Sequence, residues 1–345
     1  MRAFEEARAQ NLKALRLAYA SEAEIIPALP TTLMIEPTNA CNLACPLCPT
    51  GAGTLKRPKG MLRFQNFKKI VDELAHSLTR VVLWNYGEPY LNKEIYAMFD
   101  YCREIGVHTT VSSNGFPLED TDPDARERLL DHPPDHLIVS IDGATASSHQ
   151  AYRIGSDFYK LTSGLRQFVI ERNKRDQVIP KIESQCIVMK HNEHEIEGFC
   201  ALMKQIGVDV ITLKSVNISM ADAPESEAAA MISVSDRSTK RDWLPIDMKL
   251  ARYDERMRAK HVPTRGCARP WEMIVVNQDG NVAPCCYDIE ASLNLGNAFE
   301  SSIERIWNSE NYQDLRRKLK VGRDRIPLCS VCTDQSPTVL WRDEL

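Results

Sequence analysis

Three cysteines lie close together in one short stretch of the chain. Cys41, Cys45 and Cys48 have a C-x3-C-x2-C spacing and follow the short apolar run at 32–35. Thiolates at this spacing on one loop can converge on a single centre, and a structural zinc site normally takes four protein ligands. The triplet therefore favours a centre with one open position, such as an iron–sulfur cluster with one iron that no cysteine binds. A zinc site with a distant fourth ligand and three unrelated thiols are the alternatives.

A second group of four cysteines occupies the C-terminal part of the chain. Cys267 and Cys285 flank a predicted β-hairpin turn at 278–280, and Cys329 and Cys332 form a C-x2-C pair. Four thiolates permit a closed tetrahedral zinc site as readily as a fully ligated [4Fe–4S] cluster. The chain has eleven cysteines and no recognisable secretion signal, which favours metal or redox chemistry over disulfides and predicts a reducing, cytoplasmic location.

The elements that must position these cysteines alternate between strands and helices. Apolar runs of strand character occupy 32–35, 81–84, 108–112, 136–141, 181–189 and 208–214, separated by stretches with helical spacing. This alternation predicts a parallel sheet with helices packed outside it. Six units are too few for a closed eight-stranded barrel. The cysteine loop and the loops after the other strands would meet at one rim, where α/β barrels build active sites.

Length and composition fit a large α/β domain followed by a smaller one. The chain has 345 residues, of which 26% are charged and 43% hydrophobic, as in ordinary globular proteins. A net charge of −4 gives no basic surface for nucleic acid, and no apolar run approaches the roughly 18 residues of a membrane span. We expect four regions: an N-terminal helix (1–30), a barrel (31–217), a helical bridge (218–262) with an amphipathic helix over 246–257, and a cysteine-rich α+β domain (263–345).

The motif CNLACPLC, followed after the next strand by Gly87-Glu88-Pro89, resembles the radical S-adenosylmethionine (SAM) superfamily over residues 30–215. In that family the three cysteines hold a [4Fe–4S] cluster, whose open iron is chelated by the amino and carboxylate groups of SAM. One electron splits SAM into methionine and a 5′-deoxyadenosyl radical, which abstracts hydrogen from the substrate. The resemblance implies an α/β fold, the open partial (β/α)6 TIM-like barrel.

The resemblance also implies which side chains bind SAM. They lie at strand ends and after a short helix: Gly87, Glu88, Pro89, Asn114, Ser140, Asp142 and Arg153. Glu88 would hydrogen-bond the methionine amino group, and Asn114, Ser140 and Asp142 lie where the family contacts ribose and methionine. Arg153 would pair with the SAM carboxylate, for which a bidentate guanidinium is well suited. Plain turns and a solvated surface arginine are the structural alternatives.

The C-terminal cysteines, over residues 262–335, resemble the SPASM/twitch extension of radical SAM enzymes, which holds auxiliary [4Fe–4S] clusters. A full SPASM domain carries two clusters and needs further cysteines after the C-x2-C pair. None follows Cys332 up to Leu345. We therefore predict one auxiliary cluster, bound by Cys267, Cys285, Cys329 and Cys332.

Two residues beside these ligands could act on the substrate. Cys286 could donate a hydrogen atom to a substrate radical, as cysteines do in some SPASM-type epimerases, or it could be an alternative ligand or a packed thiol. Asp288 could be a general base or a hairpin-end aspartate. On the fifth strand, alternation places Glu183 and Gln185 on one face and Ile182 on the other. The polar pair would contact SAM or substrate if that face points into the barrel.

Together these features predict a radical SAM oxidoreductase. It would dehydrogenate a small metabolite such as a sugar or aminocyclitol, with the auxiliary cluster as electron acceptor and a flavodoxin- or ferredoxin-like protein as donor. A radical epimerase with a cysteine hydrogen donor and an enzyme that modifies a ribosomal peptide are the alternatives among enzymes. A non-catalytic iron–sulfur electron carrier or zinc scaffold is the alternative outside them. We expect no nucleic-acid or membrane partner.

Overall fold

A computed structural model describes residues 2–119, 124–218, 241–256, 259–261, 266–330, 332–333 and 338–345. The predicted N-terminal helix is present as α1, Arg2–Ala20. Its buried Arg8 donates hydrogen bonds to the carbonyl oxygens of Ala75, Ile105 and Gly106. These carbonyls follow two later helices, and a cation is favourable at a helix C-terminus. No helix in the described ranges is long and apolar enough to cross a membrane.

Six parallel strands form the centre of the fold, as predicted. They are β1 Thr32–Ile35, β2 Arg80–Val82, β3 His108–Ser113, β4 His136–Ser140, β5 Lys181–Val188 and β6 Val210–Ser215. The helices between them are α2 Phe64–Leu74, α3 Ile95–Glu104, α4 Ala125–Asp131, α5 Ala146–Tyr152, α6 Phe158–Lys174 and α7 Ile196–Ile206. Each strand pairs in parallel with the next, which confirms the βα alternation.

The C-terminal region extends this same sheet on both sides. β7, Met273–Val276, runs parallel to β1, and β8, Val282–Ala283, returns beside it as the predicted hairpin. β9, Val339–Glu344, pairs antiparallel with β6. The described residues thus form a nine-stranded sheet in the order β8-β7-β1-β2-β3-β4-β5-β6-β9. The barrel is open, because the end strands β8 and β9 do not pair with each other.

The described part of the predicted bridge contains less helix than expected. Where a helix was predicted over 246–257, the described residues 246–256 hold a 3₁₀ turn at Met248–Leu250 and no α-helix, so that prediction is wrong. The carboxylate of Glu193 accepts the N–H groups of Ile246 and Asp247, and Asp247 accepts from Lys249. Such side-chain bonds compete with helical ones. The parts of the bridge at 219–240, 257–258 and 262 lie outside the described residues.

The outer face of the sheet carries the main core, and the inner face of β5 carries polar residues. On α2, Phe67 and Ile70 are fully buried against the sheet, at the spacing that predicted this helix. Burying each such side chain stabilises the fold by about 1.5 to 3 kcal/mol. On β5, Ile182 belongs to the main core, whereas Glu183 and Gln185 lie on the opposite face. The predicted alternation on this strand is confirmed.

Candidate active site

The loop after β1 carries the cysteine triplet and is fixed by buried hydrogen bonds. Thr38 Oγ1 donates to the carbonyl of Gly60 at 2.7 Å, and Asn39 Oδ1 accepts the N–H of Gly60 at 2.9 Å. Further along, Ala44 N–H donates to the carbonyl of Ile154 at 2.9 Å. The loop is therefore tied both to its own return segment and to the loop that follows α5.

The three thiols of the triplet lie together at the rim of the sheet. Cys45 is buried, and Cys41 and Cys48 are partly exposed. Burial raises the pKa of the Cys45 thiol to about 11; the positive charge of Arg153 opposes this shift, and the other two thiols add to it. Burial also raises the pKa of Cys41, whose Sγ accepts the N–H of Leu43 at 3.4 Å. Binding of a metal centre would displace these protons.

The donor set of the triplet suits an iron–sulfur cluster. All three donors are thiols, and thiolates are the usual ligands of such clusters. A structural zinc ion normally takes four protein ligands, whereas each iron of a [4Fe–4S] cube takes one thiolate. Three thiols on one loop therefore fit a cluster with one iron left open.

The turn after β2 is fastened to the cysteine loop. Gly87 has a φ of +90°, and a Cβ there would lie 2.5 Å from the carbonyl oxygen of Thr38. Only glycine suits such a conformation at such a close approach. Glu88 N–H donates to the carbonyl of Ala40 at 2.8 Å, and Pro89 begins a short 3₁₀ helix, Pro89–Leu91. The predicted Gly-Glu-Pro motif therefore lies directly beside the triplet.

Glu88 connects the ends of β2 and β3. Its buried carboxylate accepts hydrogen bonds from Ser113 Oγ at 2.9 Å, Asn114 N–H at 2.8 Å and Tyr90 N–H at 3.1 Å. Burial raises the pKa of Glu88 to about 7, and these hydrogen bonds act in the opposite direction. Asn114 Nδ2 lies 3.7 Å from Cys41 Sγ. Glu88 thus positions a residue that reaches the first cysteine.

Asp142 and Arg153 form a buried ion pair beside the triplet. Asp142 Oδ2 lies 2.6 Å from Arg153 Nε, and Oδ1 accepts the N–H of Ile187 at 2.6 Å. Burial alone would lower the pKa of Arg153, but Asp142 and Cys45 more than offset it and raise this pKa above its usual value. Asp142 has no exposed surface. Its geometry suits positioning of Arg153 better than direct contact with a ligand.

His149, which the sequence did not single out, bonds the backbone of Asp142 in this pair. Its Nδ1 accepts the N–H of Asp142 at 3.1 Å, and Nε2 lies 3.0 Å from Ser156 Oγ, which donates to Glu119 at 2.6 Å. Burial lowers the pKa of His149 to about 4; the charge of Asp142 opposes this shift and that of Arg153 adds to it. The bond from Asp142 requires an unprotonated Nδ1.

The folded protein therefore loses stability as His149 becomes protonated. A histidine with a lowered folded-state pKa contributes fully above its unfolded value of about 6.5, and this contribution is lost as the pH falls towards about 4. We expect it to cost about 2 kcal/mol between about pH 7 and pH 5. Thermal unfolding at both pH values should show this loss in the wild type and in His194→Gln, an exposed control. An equal loss in His149→Gln would contradict the assignment.

The inner face of β4 to β6 carries a chain of polar contacts. Ser140 is partly exposed and pairs with Gln185 across the strands. Gln185 Nε2 donates to Glu183 at 2.6 Å, and Lys214 Nζ donates to Gln185 Oε1 at 3.3 Å. Burial would raise the pKa of Glu183, but hydrogen bonds, first that from His136, lower it to about 2. Burial lowers the pKa of Lys214. The sequence alone does not single out Lys214, because its neighbours on the sheet depend on the register between β5 and β6.

The four predicted C-terminal ligands also lie near one another. Burial raises the pKa of Cys329 to about 12, and the neighbouring thiols of Cys267 and Cys332 add to this shift. Burial raises the pKa of Cys285 well above its usual value, and Cys329 contributes to that shift. Cys329 thus lies near each of the other three thiols.

Cys286 lies next to this group and packs against apolar side chains of the inner face. It packs against side chains of β1, β2 and β7, and its Sγ accepts a hydrogen bond from Arg269 at 3.3 Å. Tyr86 Oη donates to the carbonyl of Cys286 at 2.9 Å. Burial raises the pKa of Tyr86, and the charges of Cys286, Cys48 and Cys285 act in the same direction. Tyr86, which sequence reasoning missed, thus lies near thiols of both cysteine groups.

The carboxylate of Asp288 accepts hydrogen bonds from the loop that follows it. Its Oδ1 accepts the N–H and the hydroxyl of Ser292, both at 2.7 Å, and its Oδ2 accepts the N–H of Leu293 at 3.1 Å. The side chain is buried. These bonds are those of a carboxylate that shapes a turn, and no group for it to deprotonate lies among them.

A buried ion pair joins the barrel to the C-terminal region. Arg57 donates two hydrogen bonds to Glu36, at 2.8 and 2.9 Å, and a third to the carbonyl of Ile289. Glu36 also accepts the N–H of Tyr86 at 3.2 Å and of Gln278 at 3.3 Å. An acid directly after the first strand is the sequence signal for this site. Glu36 thus links the ends of β1, β2 and β7.

Comparison with known proteins agrees with this arrangement. Residues 35–203 match the Radical SAM superfamily model, and residues 267–333 match SPASM, an iron-sulfur cluster-binding domain. The AdoMet-dependent heme synthase of Methanosarcina barkeri is 24% identical over 332 residues, 88% of each chain. The PqqA peptide cyclase of Rhizobium meliloti is 24% identical over 330 residues, 91% of this chain and 82% of that protein.

Solved structures share the fold. Streptococcus suis SuiB bound to the precursor peptide SuiA superposes with a TM-score of 0.61 at 15% identity, over 95% of this chain and 78% of that one. The cysteine triplet, the fold and both family models lead to one assignment. The chain is a member of the radical SAM superfamily with a C-terminal SPASM domain, and its cofactors are SAM and [4Fe–4S] clusters.

Proposed function

We propose that the protein is an oxidoreductase that removes hydrogen from a small metabolite bound on the inner face of the sheet. When bound by Cys41, Cys45 and Cys48, a [4Fe–4S] cluster supplies the electron that cleaves SAM to methionine and the 5′-deoxyadenosyl radical. The C-terminal thiols would hold a second cluster, which supplies an acceptor for the substrate electron. A flavodoxin- or ferredoxin-like protein is the proposed donor. The protein itself contributes placement and exclusion of water.

The proposed SAM site is built from the ends of β2 to β4. The backbone of Gly87 and Glu88 would hold the methionine amino group beside the triplet, and Pro89 fixes this turn. Asn114 and Ser140 would contact the ribose. Arg153 would pair with the SAM carboxylate, and Asp142 positions Arg153.

The observation that carries the proposal is the position of Tyr86. It directly precedes the Gly87–Glu88 turn, which is bonded to the loop of the triplet, and its hydroxyl bonds the carbonyl of Cys286, next to the predicted ligand Cys285. A substrate on the adjacent inner face would therefore be close both to SAM and to the electron acceptor. This proximity supports removal of two hydrogen atoms, one taken by the adenosyl radical and one leaving as a proton while the acceptor takes the electron.

One observation favours a second candidate, a radical epimerase. The Sγ of Cys286 lies on the inner wall, where it could return a hydrogen atom to a substrate radical. Modification of a peptide is supported only by the names of relatives, which include a peptide cyclase. The buried turn geometry of Asp288 gives no support to a general-base role, so we assign it to shaping its loop.

Product analysis in deuterated water separates these functions. The reduced holoenzyme is incubated anaerobically with SAM and a defined set of sugars, aminocyclitols and carboxylated metabolites. Oxidation predicts 5′-deoxyadenosine together with a product that lacks two hydrogen atoms, and Cys286→Ala should keep full turnover, as should the control Cys200→Ala. A product of unchanged composition that gains one deuterium, and that Cys286→Ala cannot form, would establish the epimerase instead.

A further inference from the structure

Lys214 brings a positive charge to the inner face of the sheet. It is partly exposed, and its strand neighbour Leu213 points to the opposite face. Its Nζ donates to the amide oxygen of Gln185 at 3.3 Å. In the described ranges, no carboxylate lies within ion-pair distance of this ammonium group. An ammonium group has three N–H donors. Lys214 therefore has donors and charge to offer to a ligand.

The nearest acid does not neutralise this charge. Glu183 lies 3.1 Å from His136 Nε2 and 3.6 Å from Arg342 Nη2, and it accepts the Gln185 amide at 2.6 Å. Its negative charge is thus shared with His136, Arg342 and Gln185. Burial lowers the pKa of Lys214; the charge of Glu183 opposes this shift only in part, and the buried Arg252 adds to it. A bound anionic ligand would therefore stabilise the Lys214 ammonium group.

Strand register puts Lys214 at the level of the proposed SAM site. It pairs with Ile187 on β5, and Ile187 packs in the same side-chain cluster as the cysteine triplet. Gln185, which orients the ammonium group, pairs with Ser140 on β4. A ligand group bound to Lys214 would therefore lie two strands from Ser140, on the same face and near the same rim.

The opposite wall of the inner face is apolar. Met34 and Val82 form it with the partly buried Trp84 and Cys286. A substrate that contacted both Lys214 and this wall would need an anionic group at one end and a carbon body at the other.

We propose that Lys214 binds a carboxylate of the substrate and so selects acidic substrates. This inference rests on the proposed function and narrows its substrate class. One ammonium group matches the single charge of a carboxylate, whereas phosphate sites usually combine several cations or a helix N-terminus. An aminocyclitol, which is cationic, would be repelled by Lys214. The carboxylate could belong to a small acid or to an acidic side chain of a peptide.

Binding of matched acids and amides tests the proposal without knowledge of the natural substrate. The anaerobic holoenzyme with SAM is titrated, by ligand-observed NMR, with glutarate and glutaramide, gluconate and glucose, and the peptides Gly-Glu-Gly and Gly-Gln-Gly. We expect the wild type to prefer the acids by roughly tenfold or more. Lys214→Met should lose this preference, and Lys214→Arg should keep it. Lys204→Met, which removes an exposed surface lysine, is the matched control.

Some outcomes distinguish a metabolite carboxylate from a peptide carboxylate, and others would overturn the proposal. A preference confined to the small acids identifies a metabolite carboxylate, and one confined to the acidic peptide identifies a peptide. No preference in the wild type, or an equal preference in Lys214→Met, would overturn the proposal. So would a fall in SAM affinity in Lys214→Met as large as the fall in acid affinity, because Lys214 would then serve SAM. The product analysis in deuterated water separately decides the proposed function.

Discussion

Replacement of Cys41, Cys45 and Cys48 by alanine should remove about four of about eight irons per chain. The reason is that each site holds one four-iron cluster and that the two sets of thiols are separate. Iron and sulfide content, measured on anaerobically reconstituted protein, checks this result. Loss of the first cluster should also abolish formation of 5′-deoxyadenosine, since no other described site lies beside the Gly87–Glu88 turn.

Two further variants make this experiment decisive. Replacement of Cys329 and Cys332 should remove the other four irons, about half of the total. Cys200→Ala, a partly buried thiol on α7, should keep the full content. If the triplet variant kept about eight irons, the assignment of the first cluster to Cys41, Cys45 and Cys48 would be incorrect. If the wild type held about four irons together with zinc, the assignment of the C-terminal site to a cluster would be incorrect.

Breaking the Glu36–Arg57 pair should be the most destabilising single change outside the cysteines. Both side chains are buried, with 0% and 5% of their side-chain surface exposed. Arg57→Met leaves the Glu36 carboxylate buried without its partner, which typically costs about 3 to 5 kcal/mol. The expected result is a large fall in the midpoint of thermal or urea unfolding of the holoprotein.

An exposed pair provides the matched control for this prediction. Arg317 bonds Glu24 at 3.0 Å, but about half of its side-chain surface is exposed. Arg317→Met should therefore cost about 0 to 1 kcal/mol. The double variant Glu36→Gln, Arg57→Met should be less unstable than the sum of its single variants, because it leaves no unpaired charge. An Arg57→Met protein as stable as Arg317→Met would refute the role of this pair.

Local patterns in the sequence predicted the parts of the molecule that depend on neighbours along the chain. The apolar periodicity predicted six βα units, and alternation on β5 predicted the face that carries Glu183 and Gln185. The chemistry of the first site was predicted because its three thiols lie within eight residues. The four C-terminal cysteines were recognised because glycine and hairpin signals framed them.

The features that sequence reasoning missed depend on contacts between distant segments. Strand β9 pairs with β6 only after the chain has passed through the whole C-terminal region, and its own residues are half charged. Glu36 and Arg57 meet at the two ends of the loop that carries the cysteine triplet. The bonds of Glu36 to Tyr86 and Gln278 require the ends of β1, β2 and β7 to be in register. Lys214 became interpretable only when β5 and β6 were paired. The helix over 246–257 failed because Glu193, on another element, bonds its backbone.

The most direct test of the account is the formation of 5′-deoxyadenosine and methionine by the reduced, reconstituted protein in the presence of SAM. The account predicts both products in the wild type and neither in the variant that lacks Cys41, Cys45 and Cys48. A wild-type protein that carries about eight irons per chain but leaves SAM intact would contradict it, and would favour an iron–sulfur electron carrier.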